Sequence, residues 1–122
     1  SSLQFILGLA FAPVAWLAGV APGDLLPVGQ LLGERMVLNE FYAYNTLKDL
    51  RAAGTLTDPR SSVIATYALC GFANLVSMGI QVGGISVLAP AQRPVLASLA
   101  FKAMLGGTVA CLLTACVAAF LI

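Results

Sequence analysis

From Leu3 to Val20 the chain carries no charged side chain, and a helix over that run is roughly long enough to span the hydrocarbon of a bilayer. The rest of the sequence has the same character. Of its 122 residues, 60% are hydrophobic and only 9% charged, with a mean hydropathy of +0.96. A soluble domain carries about 25% charged residues on its surface. This chain cannot clothe a water-facing surface, so its natural solvent is lipid. The expected fold class is all-α integral membrane. A net charge of +1 with no basic run leaves nothing to bind phosphates, which excludes a nucleic-acid partner. Ser1-Ser2 leads straight into apolar residues without the basic segment that opens a signal peptide, so the chain reads as cut from a longer one.

Breakers and hydropathy divide the chain into a few elements. Residues 1–20 read as a transmembrane helix, kinked at Pro13 and anchored near its end by Trp16. Ala21-Pro22-Gly23-Asp24 is a turn signal. Residues 24–50 are apolar but interrupted by Gly33-Glu34-Arg35 and by Asn39-Glu40. One reading is a single tilted helix with charges in it. The preferred one is a re-entrant helical hairpin with its tip near Gly33–Arg35, since each half alone reaches about half a bilayer. Residues 51–62 form a polar loop that continues the charges of Lys48 and Asp49 and turns at Asp58-Pro59. Residues 63–88 have the length of a span but hold Gly71, Asn74, Ser77, Gly79, Gln81, Gly83 and Gly84, so a broken transmembrane helix is expected. Residues 96–122 read as a C-terminal transmembrane helix. It has small-residue faces at Gly106, Gly107, Ala110, Ala115 and Ala119, and a scaffold role.

The candidate site residues are the polar groups at membrane depth. A carboxylate there costs several kcal/mol unless it is paired or hydrated. Glu40 is thus a structural partner for Arg35, a contact for a solute, or a proton relay. Asn39, beside it, cannot share its helix face and is expected to bond backbone near the hairpin tip or to pack on the other arm. At 100° per residue Asn74, Ser77 and Gln81 fall within about 60° on one face. Such a wedge serves either as interhelical glue or as the lining of a cavity. Asn74 offers donor and acceptor, and Ser77 a hydroxyl of both kinds, which suits vicinal hydroxyls. Phe72 lies off that stripe and by position alone is lipid-facing or core.

There is no histidine, no Gly-x-Ser-x-Gly elbow and no phosphate loop, so no catalytic set and no enzyme is expected. Cys70, Cys111 and Cys116 form no C-x-x-C pair. They read as packing residues rather than metal ligands, and no cofactor or metal residue is expected.

Two motifs carry a family resemblance. Leu38-Asn39-Glu40-Phe41-Tyr42-Ala43-Tyr44 resembles the L-N-E-F-V-A-Y segment of concentrative nucleoside transporters. Thr66-Tyr67-Ala68-Leu69-Cys70-Gly71-Phe72-Ala73-Asn74 is similar to their T-Y-A-L-C-G-F-A-N signature. Gly107-Thr108-Val109-Ala110-Cys111 through Thr114-Ala115-Cys116 fits as well. The tripeptide Gly33-Glu34-Arg35 departs from the Gly-Thr-Lys or Gly-Ile-Lys common there. The resemblance implies the C-terminal third of a homotrimeric, multi-pass symporter of the cell membrane. That symporter moves nucleosides by alternating access, coupled to Na⁺ or H⁺. It implies that Glu40, Asn74 and Ser77 bind the ribose and that Phe72 lines the pocket. The base-reading and ion-binding residues belong to the N-terminal remainder. A different class stays open: a non-transporting membrane subunit or assembly fragment whose polar residues serve helix packing.

Overall fold

A computed structural model describes residues 2–71 and 73–122. Among the described residues the regular structure is helical. In order come α1 (Ser2–Leu17), α2 (Leu25–Val37), α3 (Glu40–Ala52), α4 (Pro59–Leu69), α5 (Leu75–Leu88) and α6 (Arg93–Leu121). Short 3-10 turns at Pro22–Asp24 and Pro90–Gln92 lead into α2 and α6. The run Pro90–Leu121 is long and apolar enough to cross a membrane, with a hydropathy of 2.1. At 1.5 Å per residue it measures roughly 45 Å, against about 30 Å of hydrocarbon.

The closest packing joins α1 to α2, and glycine makes it close. A Cβ on Gly29 would stand 2.5 Å from the Gly8 carbonyl oxygen and 2.9 Å from the Ala12 nitrogen, all backbone. One on Gly33 would stand 2.7 Å from the Leu7 Cβ. Gly33 is therefore a contact point inside a helix and not a hairpin tip. This corrects the expected turn at Gly33–Arg35: α2 continues through it, and the chain turns at Leu38–Asn39.

The core gathers around α4. Ile64, Ala65, Ala68 and Leu69 meet Leu31 and Val28 of α2, Ala43 and Leu47 of α3, and Ala115 and Ala119 of α6. In contrast, α5 lies on α6 with Val76, Ile80, Val87 and Leu88 exposed.

The polar segment 51–62 also differs from expectation. Lys48, Asp49 and Arg51 belong to the last turns of α3, and α4 already begins at Pro59. Asp58 caps α4 by accepting from the Arg60 N–H at 2.9 Å, and proline at the first position has no N–H to lose there. The last helix likewise starts at Arg93, earlier than residue 96, with a proline in its first turn. Asp24, expected only to mark a turn, ties the connections together. Its buried carboxylate accepts from the Thr57 N–H (2.8 Å), the Thr57 hydroxyl (3.0 Å), the Asp58 N–H (3.1 Å) and the Ser61 hydroxyl (2.6 Å). Burial alone pushes this carboxyl up. The hydrogen bonds, led by that of Ser61, outweigh burial and hold it below the usual value near 3.8. The Arg60 guanidinium closes the same end of the molecule by donating to the Ala119 carbonyl at 2.5 Å, where a cation complements the C-terminal end of a helix.

Candidate functional site

Two helix N-termini meet at the site, and each is made by an asparagine. Asn39 takes an extended backbone (φ −165°, ψ 171°), and its side-chain oxygen accepts from the Tyr42 N–H at 2.8 Å. That contact satisfies an N–H that the first turn of α3 would otherwise leave without a partner. Glu40 follows as the first residue of α3, where the positive end of the helix favours a carboxylate. The second terminus repeats the device. The α4 helix ends at Leu69, and α5 begins only after Asn74, which is again extended (φ −149°, ψ 175°). The Asn74 side-chain oxygen accepts from the Ser77 N–H at 2.8 Å, and the Ser77 hydroxyl oxygen accepts from the Asn74 N–H at 3.0 Å. The pair is a reciprocal capping box.

The termini are joined by one hydrogen bond: Asn74 Nδ2 donates to Glu40 Oε2 at 3.3 Å. Asn74 is fully buried, Ser77 nearly so, and Glu40 half-buried. The Ser77 hydroxyl proton goes back to the Asn74 carbonyl at 2.9 Å, so its donor capacity is used within the cap. Capacity to spare remains on the second oxygen of half-exposed Glu40 and on the second amide hydrogen of buried Asn74. A half-exposed carboxylate fixed by a neutral amide accepts hydroxyl donors strongly, because a charge-assisted bond exceeds a neutral one.

The structure thus brings Glu40, Asn74 and Ser77 together, with Asn39 one residue away as the cap of α3. Gln81 stands one turn after Ser77 on α5 and joins the set only through it, with no hydrogen bond to Glu40 or Asn74. Gln81 is exposed, on a cleft between α5 and α6 that it shares with Ser77, Met78, Ala100 and Met104. Asn74 is the cap and not a helical residue, so the 100° spacing from it to Ser77 and Gln81 does not hold. Phe72 lies outside the described residues. All three cysteines are free thiols; Cys70 is exposed and the others are half-buried, so the expected close burial is only partial.

Arg35 is not a partner of Glu40. It is buried to 1% exposure on α2, and its guanidinium donates to two α6 groups, the Thr108 hydroxyl at 3.5 Å and the Cys111 sulfur at 3.2 Å. Its neighbour Glu34 is equally buried and accepts from the Gln30 amide at 2.9 Å. Glu34 Oε2 and Arg35 Nε find no hydrogen-bond partner among the described residues. The reading of the sequence missed this pair as site neighbours. The signal was there in two adjacent charges inside an apolar run, but partners 73 and 76 residues away are not visible in it.

Comparison with known proteins sets this geometry in context. The family model for the C-terminus of Na⁺-dependent nucleoside transporters matches residues 1–119. Solute carrier family 28 member 3 of Homo sapiens is 40% identical over 132 residues, covering 98% of this chain and 19% of that protein. Sodium/nucleoside cotransporter 1 of Rattus norvegicus is 42% identical over 132 residues, covering 98% and 20%. Among solved structures, CNTnw in an inward-facing substrate-bound state superposes with a TM-score of 0.90 at 40% identity, covering 96% of this chain and 29% of that one. The chain therefore spans less than a third of the proteins named here. These relatives are transporters and not enzymes.

Proposed function

The chain belongs to the concentrative, Na⁺-dependent nucleoside transporter family, as its C-terminal region, and on that premise we propose that the complete protein carries out cation-coupled nucleoside symport, with this chain supplying the ribose-binding half of the site. The observation that carries the reading is the 3.3 Å contact between Asn74 and Glu40 across two helix N-termini. In this reading the outward oxygen of Glu40 accepts ribose hydroxyls. Asn74 holds that carboxylate in place and offers its remaining amide hydrogen. Ser77 acts mainly by fixing Asn74, since its own proton is already engaged. Phe72 forms a wall of the pocket, and Gln81 supports the packing of α5 on α6.

The architecture follows the same logic. The α2–α3 pair is a re-entrant hairpin, and α4 with α5 is one broken transmembrane helix. Broken helices suit solute sites because their freed backbone groups and terminal dipoles point into the cavity. Alternating access moves these elements against the long α6 scaffold, within a multi-pass homotrimer of the cell membrane. The N-terminal remainder reads the base and holds the coupling ion, Na⁺ or H⁺.

A second reading has one observation in its favour: the Asn74–Ser77 box is closed within the chain, as a purely structural cap would be. It makes the chain a non-transporting membrane subunit or assembly fragment. Radiolabelled uridine uptake by the complete protein in proteoliposomes, with and without a Na⁺ or H⁺ gradient, separates the two. The transport reading expects gradient-driven uptake of unaltered uridine that Glu40→Gln lowers by at least tenfold. Uptake absent, or indifferent to Glu40→Gln, would rule that reading out.

A further inference from the structure

The interruption between α4 and α5 has to be held from outside. A helix that stops at Leu69 leaves its last carbonyls without intrahelical partners, and the next helix begins only after Asn74. We infer that Arg35 is a positioning residue for the substrate site, acting through Cys111 to hold the backbone from which Asn74 reaches Glu40. The inference rests on the reading of Glu40 and Asn74 given above.

The links are short and continuous. Arg35 Nη2 donates to Cys111 Sγ at 3.2 Å, and the Cys111 thiol donates to the Cys70 carbonyl oxygen at 3.1 Å. That carbonyl is at the C-terminal cap of α4. A cation there complements the negative end of the helix, and successive hydrogen bonds polarise one another. The next residue passes directly over the pair. A Cβ on Gly71 would stand 2.5 Å from Cys111 Sγ and 2.9 Å from Arg35 Nη2. Only a residue with no side chain lets the backbone lie so close. Three residues further on, Asn74 makes its bond to Glu40. A second hold comes from α3, the helix that carries Glu40: its Tyr44 hydroxyl donates to the Thr66 carbonyl at 2.8 Å. The end of α4 is therefore held by α3 through Tyr44 and by the Arg35–Cys111 pair. Arg35 itself does not touch the proposed ligand position. It is 1% exposed, so its effect on substrate must pass through the 70–74 segment.

The test uses the complete transporter, with uridine uptake kinetics and the yield of folded protein by size-exclusion measured side by side. Arg35→Met is expected to raise the uridine KM about tenfold among molecules that fold, a loss of roughly 1.4 kcal/mol in affinity terms. Arg35→Lys keeps the charge and a donor group and is expected to return KM to within about threefold of the unsubstituted protein. Cys111→Ala is expected to raise KM like Arg35→Met, and the double variant to be no worse than the worse single one, because both break one chain of contacts. A normal KM in Arg35→Met with only the folded yield reduced overturns the inference, as does an additive double variant. If Arg35→Met does not fold, Cys111→Ala decides by the same KM criterion against Cys111→Ser, which keeps a donor and an acceptor. Asn74→Ala runs in parallel. Raised KM there with normal KM in the Arg35 and Cys111 variants overturns the positioning role alone, whereas normal KM in all of them overturns the site reading with it.

Discussion

Replacing Asn74 by alanine and by aspartate separates its two duties. Its oxygen caps α5, and its amide nitrogen holds Glu40. Alanine removes both. The lost cap is the lost Ser77 N–H bond, worth about 1 kcal/mol at an ordinary cap and up to roughly 3 kcal/mol here, because that N–H is buried with its residue and left without an acceptor. Aspartate caps as well as asparagine does, so the Ser77 bond survives. It cannot donate to Glu40, however. It sets a second carboxylate 3.3 Å from the first. At an effective dielectric near 20 two unit charges at that distance would repel by about 5 kcal/mol, but half-exposed Glu40 turns out to solvent, where the repulsion at about 4 Å is roughly 1 kcal/mol, below what the buried cap is worth. The expected outcome is an ordering that reverses between two assays. In thermal unfolding of the purified complete protein, Asn74→Ala has the lower midpoint. In uridine uptake, Asn74→Asp is at least as impaired as Asn74→Ala although it is the more stable protein. Equal midpoints for the two variants, or robust uptake by Asn74→Asp, would refute the division of roles.

Other expectations concern the frame around the site. Asp24 is held below its usual value in the folded state, so its carboxylate contributes stability above about pH 4 that is lost as pH falls through the lowered folded value. Thermal midpoints followed from neutral pH into acid should fall for the unsubstituted protein. Asp24→Asn should start lower and lose less, and parallel curves would contradict the assignment. Gly29→Ala puts a methyl 2.5 Å from a backbone oxygen of α1 and is expected to destabilise by roughly 1–3 kcal/mol, read as a lowered midpoint. An unchanged midpoint would mean that α1 and α2 part freely. The isolated 122-residue chain is expected to show no saturable uridine uptake in proteoliposomes, because half a site leaves Glu40 without its remaining partners. Saturable uptake from it would overturn the half-site account.

The helical class and the membrane setting are legible in the sequence because they depend on composition and run length, which need no partner. So is the polar set at Glu40, Asn74 and Ser77, because ionisable and amide groups in an apolar run have few places to go. The turn between α2 and α3 is legible too, but in a different signal from the obvious one. Gly33-Glu34-Arg35 attracts attention as a break, yet a glycine within a helix also permits close packing, and α1 uses it so. The real boundary is Asn39 followed by Glu40, a cap with an acid in the first turn. Asn74 with Ser77 three residues later has the same grammar. What the sequence hides are contacts between residues distant along the chain. Arg35 finds Thr108 and Cys111, and Asp24 finds Thr57 and Ser61, only because three helices, α2, α3 and α6, converge around α4. No local pattern encodes those pairings.

On the function proposed above, Glu40 reads the sugar. Calorimetric binding of uridine and of 2′,3′-dideoxyuridine to the complete transporter, unsubstituted and as Glu40→Gln, tests it directly. Hydrogen bonds from ribose hydroxyls to a charged acceptor are worth roughly 1.5–3 kcal/mol each. The unsubstituted protein should therefore prefer uridine by at least tenfold, and Glu40→Gln should lose most of that preference. A preference undiminished by Glu40→Gln would contradict the account, because the hydroxyls would then be recognised elsewhere.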